Sequence, residues 1–302
     1  DLGELKVQYK DYSAWQLNKK ASEEYKRQEE YWLQEFSREI PVSKLPTDYA
    51  RPKTKDFKGD SISFVLDKET TESLRNIAKK TETTMYMVLL ANINLLLSKY
   101  SEQEDIVVGS PIAGRNHADL ENLIGVFVNT LAIRSHVNSG LSFKEYLKTV
   151  KNKALKAYEN QDYQFEELAS KVEKYRNLSR NPLFDVMFVL ENEGEAKIEV
   201  EGLTFKPYIL SNKMEKLDIT IAASEGTEEI KFNFSYATSL YKRDTMEDMI
   251  KCFKHIIKVS SGNLDIAIKD ISVMTNNEAY DFLSKTKSSN FNKDDFDFDF
   301  ED

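Results

Sequence analysis

Strand-like and helix-like patterns alternate along the first two thirds of the chain, and this alternation most limits what it can fold into. The segment GDSISFVLD, residues 59–67, alternates apolar and polar residues as a half-buried strand does, with Ile62 and Phe64 on one face. A capping box predicts a helix start at Ser142, because Glu145 follows three residues later. The same patterns predict helices over 17–38, 68–80, 84–100, 142–158 and 165–172, and strands over 105–115 and 123–134.

After Pro182 the strand patterns follow one another, and a closing helix over 243–259 carries its apolar residues on one stripe. We find no internal repeat. Since helices and strands form one continuous pattern, we predict an α/β fold with a mixed β-sheet flanked by helices. The predicted strands of this part span residues 183–192, 198–206, 216–224 and 229–236.

The stretch LIGVFVNTLAIR, residues 123–134, resembles a buried strand but carries Asn129 and Thr130 at its centre and Arg134 at its end. A buried amide without hydrogen-bond partners costs about 1–3 kcal/mol. These polar side chains therefore either satisfy neighbouring groups inside the protein or face a ligand.

Composition excludes several classes of protein. A net charge of −9 argues against nucleic-acid binding, which needs a basic face. The longest apolar run, residues 87–97, is too short to span a bilayer. The single cysteine, Cys252, allows no internal disulfide framework and no zinc cluster. We therefore expect a cytoplasmic protein. The chain begins with Asp1 and shows no signal peptide, which favours a fragment of a longer protein.

The chemistry-bearing residues give no complete active site. Neither His117 nor His136 lies in an acid–base pattern, and His255 falls inside the closing helix, where packing or partial exposure explains it. No glycine-rich phosphate loop, nucleophile motif or metal-ligand spacing is present in the sequence. The residues alone therefore predict neither a catalytic set nor a metal site.

Four segments resemble the later motifs of the condensation domain of nonribosomal peptide synthetases, in the same order. They are YKDYSAW, IGVFVNTLAIR, NQDYQFEEL and RNLSRNPLF, at residues 9–15, 124–134, 160–168 and 176–184. The connecting segments LPTDYARP, TMYMVLLA and EDIVVGSPIAGR resemble that family too, so the similarity extends from about residue 5 to about residue 275. The FVNT and SRNPLF segments resemble amide-forming members more than epimerising ones.

The resemblance implies one lobe of a two-lobed fold similar to chloramphenicol acetyltransferase, with a tunnel between the lobes. Donor and acceptor carrier proteins deliver substrates as thioesters of their own phosphopantetheine, so this chain itself needs no cofactor. The family motif His-His-x-x-x-Asp-Gly belongs to the first lobe, and this chain has no His-His pair. We therefore expect residues 1–275 to be the C-terminal part of a condensation domain, inactive without its first lobe. The alternative is a noncatalytic module that docks carrier proteins or a partner subunit.

The resemblance also suggests residues of the tunnel wall. Asn129, Arg134 and Ser110 are the candidates, with structural hydrogen bonds or an ion pair as the alternative for the first two. Packing is the favoured interpretation of Tyr12, Trp15 and Phe165, since large aromatic side chains dominate cores. The segment 176–184 is interpreted as a structural loop that leads into a strand.

The end of the chain differs from the rest in composition. Residues 291–302, FNKDDFDFDFED, follow a linker over 276–290 and hold six acids and one lysine, so we predict a disordered tail. In an extended strand the aromatic residues would occupy one face and the acids the other. The alternatives are a solubilising end and a docking motif for a downstream synthetase subunit. The residues proposed for docking are Phe296, Phe298, Phe300, Asp295, Asp297 and Asp299.

Overall fold

A computed structural model describes residues 5–173, 177–192, 202–203 and 213–272. Its centre is one six-stranded sheet in the order β1-β6-β5-β4-β2-β3. The β4 strand runs parallel to β2 and β5, and the other neighbouring pairs are antiparallel. The strands are β1 (Gly59–Leu66), β2 (Asp105–Ile112), β3 (Asn129–His136), β4 (Val186–Asn192), β5 (Ile219–Glu225) and β6 (Ile230–Ala237). The predicted mixed sheet with flanking helices is therefore confirmed.

Seven α-helices accompany the sheet in the described ranges. The α3, α4, α5 and α7 helices pack on one another and on the strands, whereas α2 packs on α6 beside β3. The helices are α1 (Tyr9–Lys19), α2 (Glu23–Glu35), α3 (Lys68–Thr81), α4 (Met85–Ser101), α5 (Phe143–Glu159), α6 (Phe165–Val172) and α7 (Arg243–Gly262). The capping box at Ser142 and Glu145 is formed. None of these helices is long and apolar enough to cross a membrane.

The α4 helix forms the centre of the hydrophobic core, and nearly all of its side chains are buried. It nevertheless contains Asn92, which donates to the Val88 carbonyl at 2.8 Å and accepts the Ser260 hydroxyl of α7 at 2.7 Å. In the described structure, the buried Asn92 amide and the Ser260 hydroxyl that it binds therefore both have hydrogen-bond partners.

The structure corrects the prediction of one helix over 17–38. The chain forms α1 and α2 instead, and Ser22 caps α2 by accepting the Tyr25 N–H at 3.2 Å. No residue of α1 is buried, so this helix carries no apolar stripe that the sequence pattern could detect.

The predicted strand over 123–134 is wrong in its first half, because β3 begins only at Asn129. Its partner β2 ends at Ile112, which pairs with Asn129, so the preceding residues have no neighbouring strand in the described part of the sheet. The predicted strand over 198–206 lies outside the described residues, apart from Gly202 and Leu203.

Candidate functional site

Three of the segments singled out by sequence meet in space and form what we call the motif surface: α1, residues 114–130 and the loop 160–165. The Tyr9 hydroxyl donates to the Val126 carbonyl at 2.9 Å. The Phe127 ring lies 5.3 Å from the ring of Tyr9 and 4.6 Å from that of Tyr12. Aromatic contacts of this kind hold α1 against the loop that leads into β3.

A glycine makes the turn of this loop possible. Gly114 has a φ of 66°, a conformation that side chains disfavour, and a Cβ there would lie 1.8 Å from the Phe127 carbonyl oxygen. The Arg115 guanidinium then lies 4.2 Å from the centre of the Phe127 ring. The left-handed conformation of Gly114 is shown, whereas the turn predicted there stays a prediction.

Asn129 lies at the junction of the motif surface and is 6% exposed. Its Nδ2 donates to the carbonyls of Gln161 and Tyr163, both at 2.9 Å. Its Oδ1 accepts the main-chain N–H groups of Thr130 at 2.8 Å and Phe165 at 3.1 Å. The amide is therefore satisfied by main chain, as the structural alternative expects, and contact with a tunnel stays a prediction.

Arg134 lies elsewhere. Arg134 lies five residues after Asn129 along β3, which is about 17 Å at the usual rise per residue of a strand. An odd number of residues separates the two, so they lie on opposite faces of the sheet. Its Nη2 lies 2.6 Å from Asp105, and its guanidinium also donates to the carbonyls of Glu35 at 3.0 Å and Glu39 at 2.7 Å. The ion pair joins β3 to β2, and the hydrogen bond to the Glu35 carbonyl attaches the end of α2 to the sheet.

Ser110, in contrast, shares a face with Asn129. It pairs with Leu131 across β2 and β3, which places it diagonally opposite Asn129, about 7–8 Å away. Ser110 is 2% exposed and faces Tyr86 of α4. Burial and the neighbouring Tyr158 raise the pKa of the Tyr86 phenol, whereas Ser110 lowers it. The structure thus brings together two of the three predicted wall residues.

A groove of about 440 Å³ lies between α1 and the residues after Gly114. Lys19 Nζ lies 2.6 Å from Asp162 and 5.0 Å from the centre of the half-exposed Trp15 ring. Burial alone would lower the pKa of Lys19, but the hydrogen bonds and charges of Asp162 and Glu24 together outweigh burial and raise the pKa. Sequence reasoning missed this pair, although Asp162 stands in the NQDY segment.

The residues before β3 expose an apolar stripe, defined as Ile124, Val126 and Val128, with exposed fractions of 95%, 76% and 62%. Leu123, which precedes the stripe, and Phe127 within it are buried, whereas Gly125 is exposed. Exposed and buried residues alternate only from Val126 to Asn129, whereas the sequence predicted a buried strand over the whole stretch. The exposed side chains of the stripe are apolar and uncovered by any described residue. Contiguous exposed apolar residues commonly mark an interaction surface.

The described part of the segment 176–184, residues 177–184, forms a structural loop that touches the motif surface through Phe184, whose ring lies 5.4 Å from that of Phe165. Arg180 pairs with Asp185, and Asn181 donates to the Lys216 carbonyl at 3.2 Å. Arg51 donates to Asp218 at 2.8 Å and to the Ser179 carbonyl at 3.3 Å. These contacts fix the chain before β4 and β5.

The described residues of this site form no metal-binding cluster. The position of the acidic tail relative to the site is not described. No group of three His, Cys, Asp or Glu side chains that could hold a metal occurs within residues 5–173, 177–192, 202–203 and 213–272. The docking residues proposed at 295–300 lie outside the described part of the chain.

Comparisons with solved structures agree with this fold. The X-domain from teicoplanin biosynthesis superposes with a TM-score of 0.82 at 20% identity, over 91% of this chain and 64% of that one. A four-domain nonribosomal peptide synthetase bound to AMP and glycine gives a TM-score of 0.77 at 23% identity, over 86% of this chain and 21% of that one.

Comparisons of sequence are closer. Tyrocidine synthase 3 of Brevibacillus parabrevis is 47% identical over 278 residues, which are 92% of this chain and 4% of that synthase. Bacitracin synthase 3 of Bacillus licheniformis is 48% identical over 278 residues, again 92% of this chain and 4% of the relative. The chain therefore spans a small part of these synthetases. The model of the condensation domain matches residues 1–283, and the chain belongs to the condensation-domain family.

Proposed function

We propose that this chain supplies the acceptor-side lobe of a condensation domain that joins two carrier-bound substrates through an amide bond. The observation that carries the proposal is the apolar stripe of Ile124, Val126 and Val128, held in place by the packed Phe127. A fixed, exposed apolar stripe is more stable in contact with a second lobe than in contact with water. Membership of the family and the two synthetase relatives support the same assignment.

In the proposed reaction, the amine of the acceptor substrate attacks the carbonyl carbon of the donor thioester. A C–N bond forms, the C–S bond breaks, and the proton lost by the amine passes to the leaving thiolate. Positioning of the two substrates accounts for much of the acceleration in such a reaction. The phosphopantetheine arms that carry both substrates belong to the carrier proteins, and the histidine motif belongs to the other lobe.

Reconstitution tests this assignment. The chain is mixed with a separately expressed first lobe from a relative and with two loaded carrier proteins, and dipeptidyl thioester is measured by mass spectrometry. We expect product only when both lobes are present, because loss of a positioned base alone typically costs about 10²–10⁴-fold in rate. Product from this chain without the first lobe would contradict the proposed division of roles.

The alternative is a noncatalytic docking module that binds carrier proteins through the same surface. The half-exposed Trp15 beside the groove of about 440 Å³ favours a protein contact there. Both functions predict binding of the first lobe or of a carrier protein. Only the enzyme function predicts product after reconstitution, so a bound but inactive mixture would favour the docking module.

We further propose that the acidic tail, residues 291–302, docks onto a basic partner at the start of a downstream synthetase subunit. The proposal rests on the sequence alone. Alternating Phe and Asp would add a strand to a free sheet edge, with main-chain hydrogen bonds providing affinity and the acids accelerating the encounter. A merely solubilising tail remains the alternative outcome of the test given in the Discussion.

A further inference from the structure

An open hollow of about 540 Å³ lies at the start of β1, where the segments 52–58 and 213–214 meet. Its lining includes what we call the lysine patch: Lys55, Phe57, Lys58, Lys213 and Met214. Phe57 and Met214 are large apolar side chains with exposed fractions of 48% and 59%. None of the residues that line the hollow belongs to the motif surface, so the patch is a separate feature.

Main-chain hydrogen bonds fix the two segments of the patch against each other. The Gly59 N–H donates to the Lys213 carbonyl at 2.8 Å, and the Glu215 N–H donates to the Phe57 carbonyl at 2.9 Å. The apolar and basic side chains of the patch therefore extend from a backbone that is held in place.

The patch is basic, although the chain as a whole has a net charge of −9. Two of the acidic side chains around it, Glu215 and Asp218, are buried, and Asp60 pairs with Arg243 at 3.3 Å. Residues 51–60 and 213–218 hold six basic and four acidic side chains: Arg51, Lys53, Lys55, Lys58, Lys213 and Lys216, and Asp56, Asp60, Glu215 and Asp218. The neighbouring Asp185 is paired with Arg180 and does not change this balance. The surplus of positive charge therefore lies on the exposed lysines.

Lys55 shows that the patch is short of anions. Burial is the largest cause that lowers the pKa of Lys55, and the charge of Arg51 lowers it further. The charges of Asp185, Asp218 and Glu215 raise the pKa but do not offset burial. A carboxylate brought to the patch would therefore stabilise the charged form of this lysine.

The acidic tail, residues 291–302, has the complementary composition and is within reach. Arg243, at the start of α7, contacts Asp60 beside the patch, and α7 is about 30 Å long. Residues 273–294 separate Ser272, the last described residue, from Asp295. A flexible segment of this length spans about 26 Å on average and more when it is extended. The tail can therefore return along α7 to the patch.

We propose that the acidic tail docks onto the lysine patch of its own chain. The carboxylates of residues 295–299 approach the lysines, and the aromatic side chains between them cover Phe57 and Met214. Exposed ion pairs are individually weak, but a tethered segment meets its site at a high effective concentration. This docking rests on the role proposed above for the tail and adds a competitor to it: the downstream partner binds the tail by displacing it from the patch.

Cleavage of the tail by chymotrypsin, which cuts after phenylalanine, tests the proposal in the full chain. We expect Lys58→Glu together with Lys213→Glu to release the tail, so that cleavage within residues 296–300, followed by mass spectrometry, is at least about threefold faster than in the unmodified chain. Lys144→Glu together with Lys148→Glu, at two exposed positions of α5, is the matched control for charge and should leave the rate unchanged. NMR spectra establish that each variant is folded.

A second variant separates the apolar contact from charge. Phe57→Ser should also accelerate cleavage of the tail, whereas Leu155→Ser, at a 43% exposed position of α5, should not. Equal rates for the patch variants and the unmodified chain would overturn the proposal, because the patch would then serve a partner other than the tail. Protection that rises with chain concentration would also overturn it, since the tail would then dock onto a second copy.

The assay contains no downstream subunit, so it separates the two roles of the tail. An unprotected tail whose peptide still binds the downstream region would refute the docking within the chain and leave the role proposed above intact. A protected tail whose peptide does not bind that region would support the docking within the chain alone.

Discussion

The Tyr9 ring occupies the space that a side chain at Gly125 would need: a Cβ on Gly125 would lie 2.2 Å from Tyr9 Cδ2. This close approach explains why a glycine stands between Ile124 and Val126. It also links the start of α1 to the loop before β3, since the same Tyr9 binds the Val126 carbonyl.

Substitution of Gly125 by alanine should therefore displace Tyr9. We expect Gly125→Ala to lower the free energy of unfolding by about 1–3 kcal/mol, as overpacking usually does, measured by urea denaturation. Gly262→Ala is the control, because a Cβ there would meet no atom within 4 Å. In a Tyr9→Ala background the cost of Gly125→Ala should largely disappear. An undiminished cost in that background would show that the Tyr9 ring is not its cause.

Asn129→Ala should destabilise the protein, since it removes the partners of two carbonyls and two N–H groups. The expected loss is about 1–3 kcal/mol, measured by thermal and urea unfolding. Asn138→Ala, an exposed asparagine in a turn, is the control. If stability is unchanged and only the amide-forming rate of the reconstituted domain falls, the side chain acts on substrate and the tunnel contact is correct.

Charged substitutions in the apolar stripe should separate folding from association. We expect the isolated chain to self-associate, and Ile124→Lys together with Val126→Lys to make it more monomeric in sedimentation, because both side chains are largely exposed. The same variant should lose product formation with the first lobe. Leu178→Lys, also exposed but outside the stripe, controls for added charge. If the unmodified chain sediments as a monomer at high concentration, the apolar stripe is not an association surface.

Asp48 should contribute stability that acid removes. Its carboxylate accepts the Lys242 N–H at 2.8 Å and the Thr245 hydroxyl at 2.9 Å, and the first of these bonds is the main cause that lowers its pKa below 3.8. A lowered folded-state pKa gives stability that is present above the unfolded pKa and is lost as pH falls through the folded one.

Asp48→Asn should accordingly be less stable than the unmodified chain at pH 7, by no more than about 1 kcal/mol because the site is exposed. This difference should shrink once the pH falls below about 3.8. Asp244→Asn, also exposed at the start of α7, serves as the control. A difference that stays constant down to pH 2 would exclude the titration of Asp48 as its source.

The tail is tested with a peptide of residues 291–302, titrated onto the N-terminal region of the downstream synthetase subunit. We expect it to bind more tightly than a scrambled peptide of equal charge, because only the native order places the aromatic residues on one face of a strand. Equal binding of both peptides would show that only the charge of the tail contributes to binding. Absence of binding by either would remove the docking role.

Elements with a strong pattern were predictable, and those defined by distant contacts were not. The capping box at Ser142 and the apolar stripe of α7 gave the correct helices, since local residues determine both. Residues 124–128 were misassigned because a run of apolar residues does not show whether a neighbouring strand is present.

The candidate site was also predictable only in part, because several of its contacts join residues that are distant in the sequence. The motifs indicated that Asn129 matters, but three of its four partners lie 32 to 36 residues further along the chain. The ion pair between Lys19 and Asp162 joins residues 143 positions apart. Neither contact leaves a local pattern. The opposite-face position of Arg134 was accessible by counting along β3, once the start of the strand was known.

The hydrogen bond between Asn92 and Ser260 gives α4 and α7 a single axial alignment. Two helices with almost wholly apolar contact surfaces have little to stop one from sliding along the other by a turn, because leucine and isoleucine exchange neighbours at small cost. A slide of one turn, about 5.4 Å, would leave Asn92 Oδ1 without its donor in the core, whereas Asn92 Nδ2 would keep the Val88 carbonyl and Ser260 the Ile257 carbonyl. The cost of that unpaired oxygen disfavours the shifted packings that an apolar interface would otherwise tolerate, much as a buried asparagine sets the register of a coiled coil.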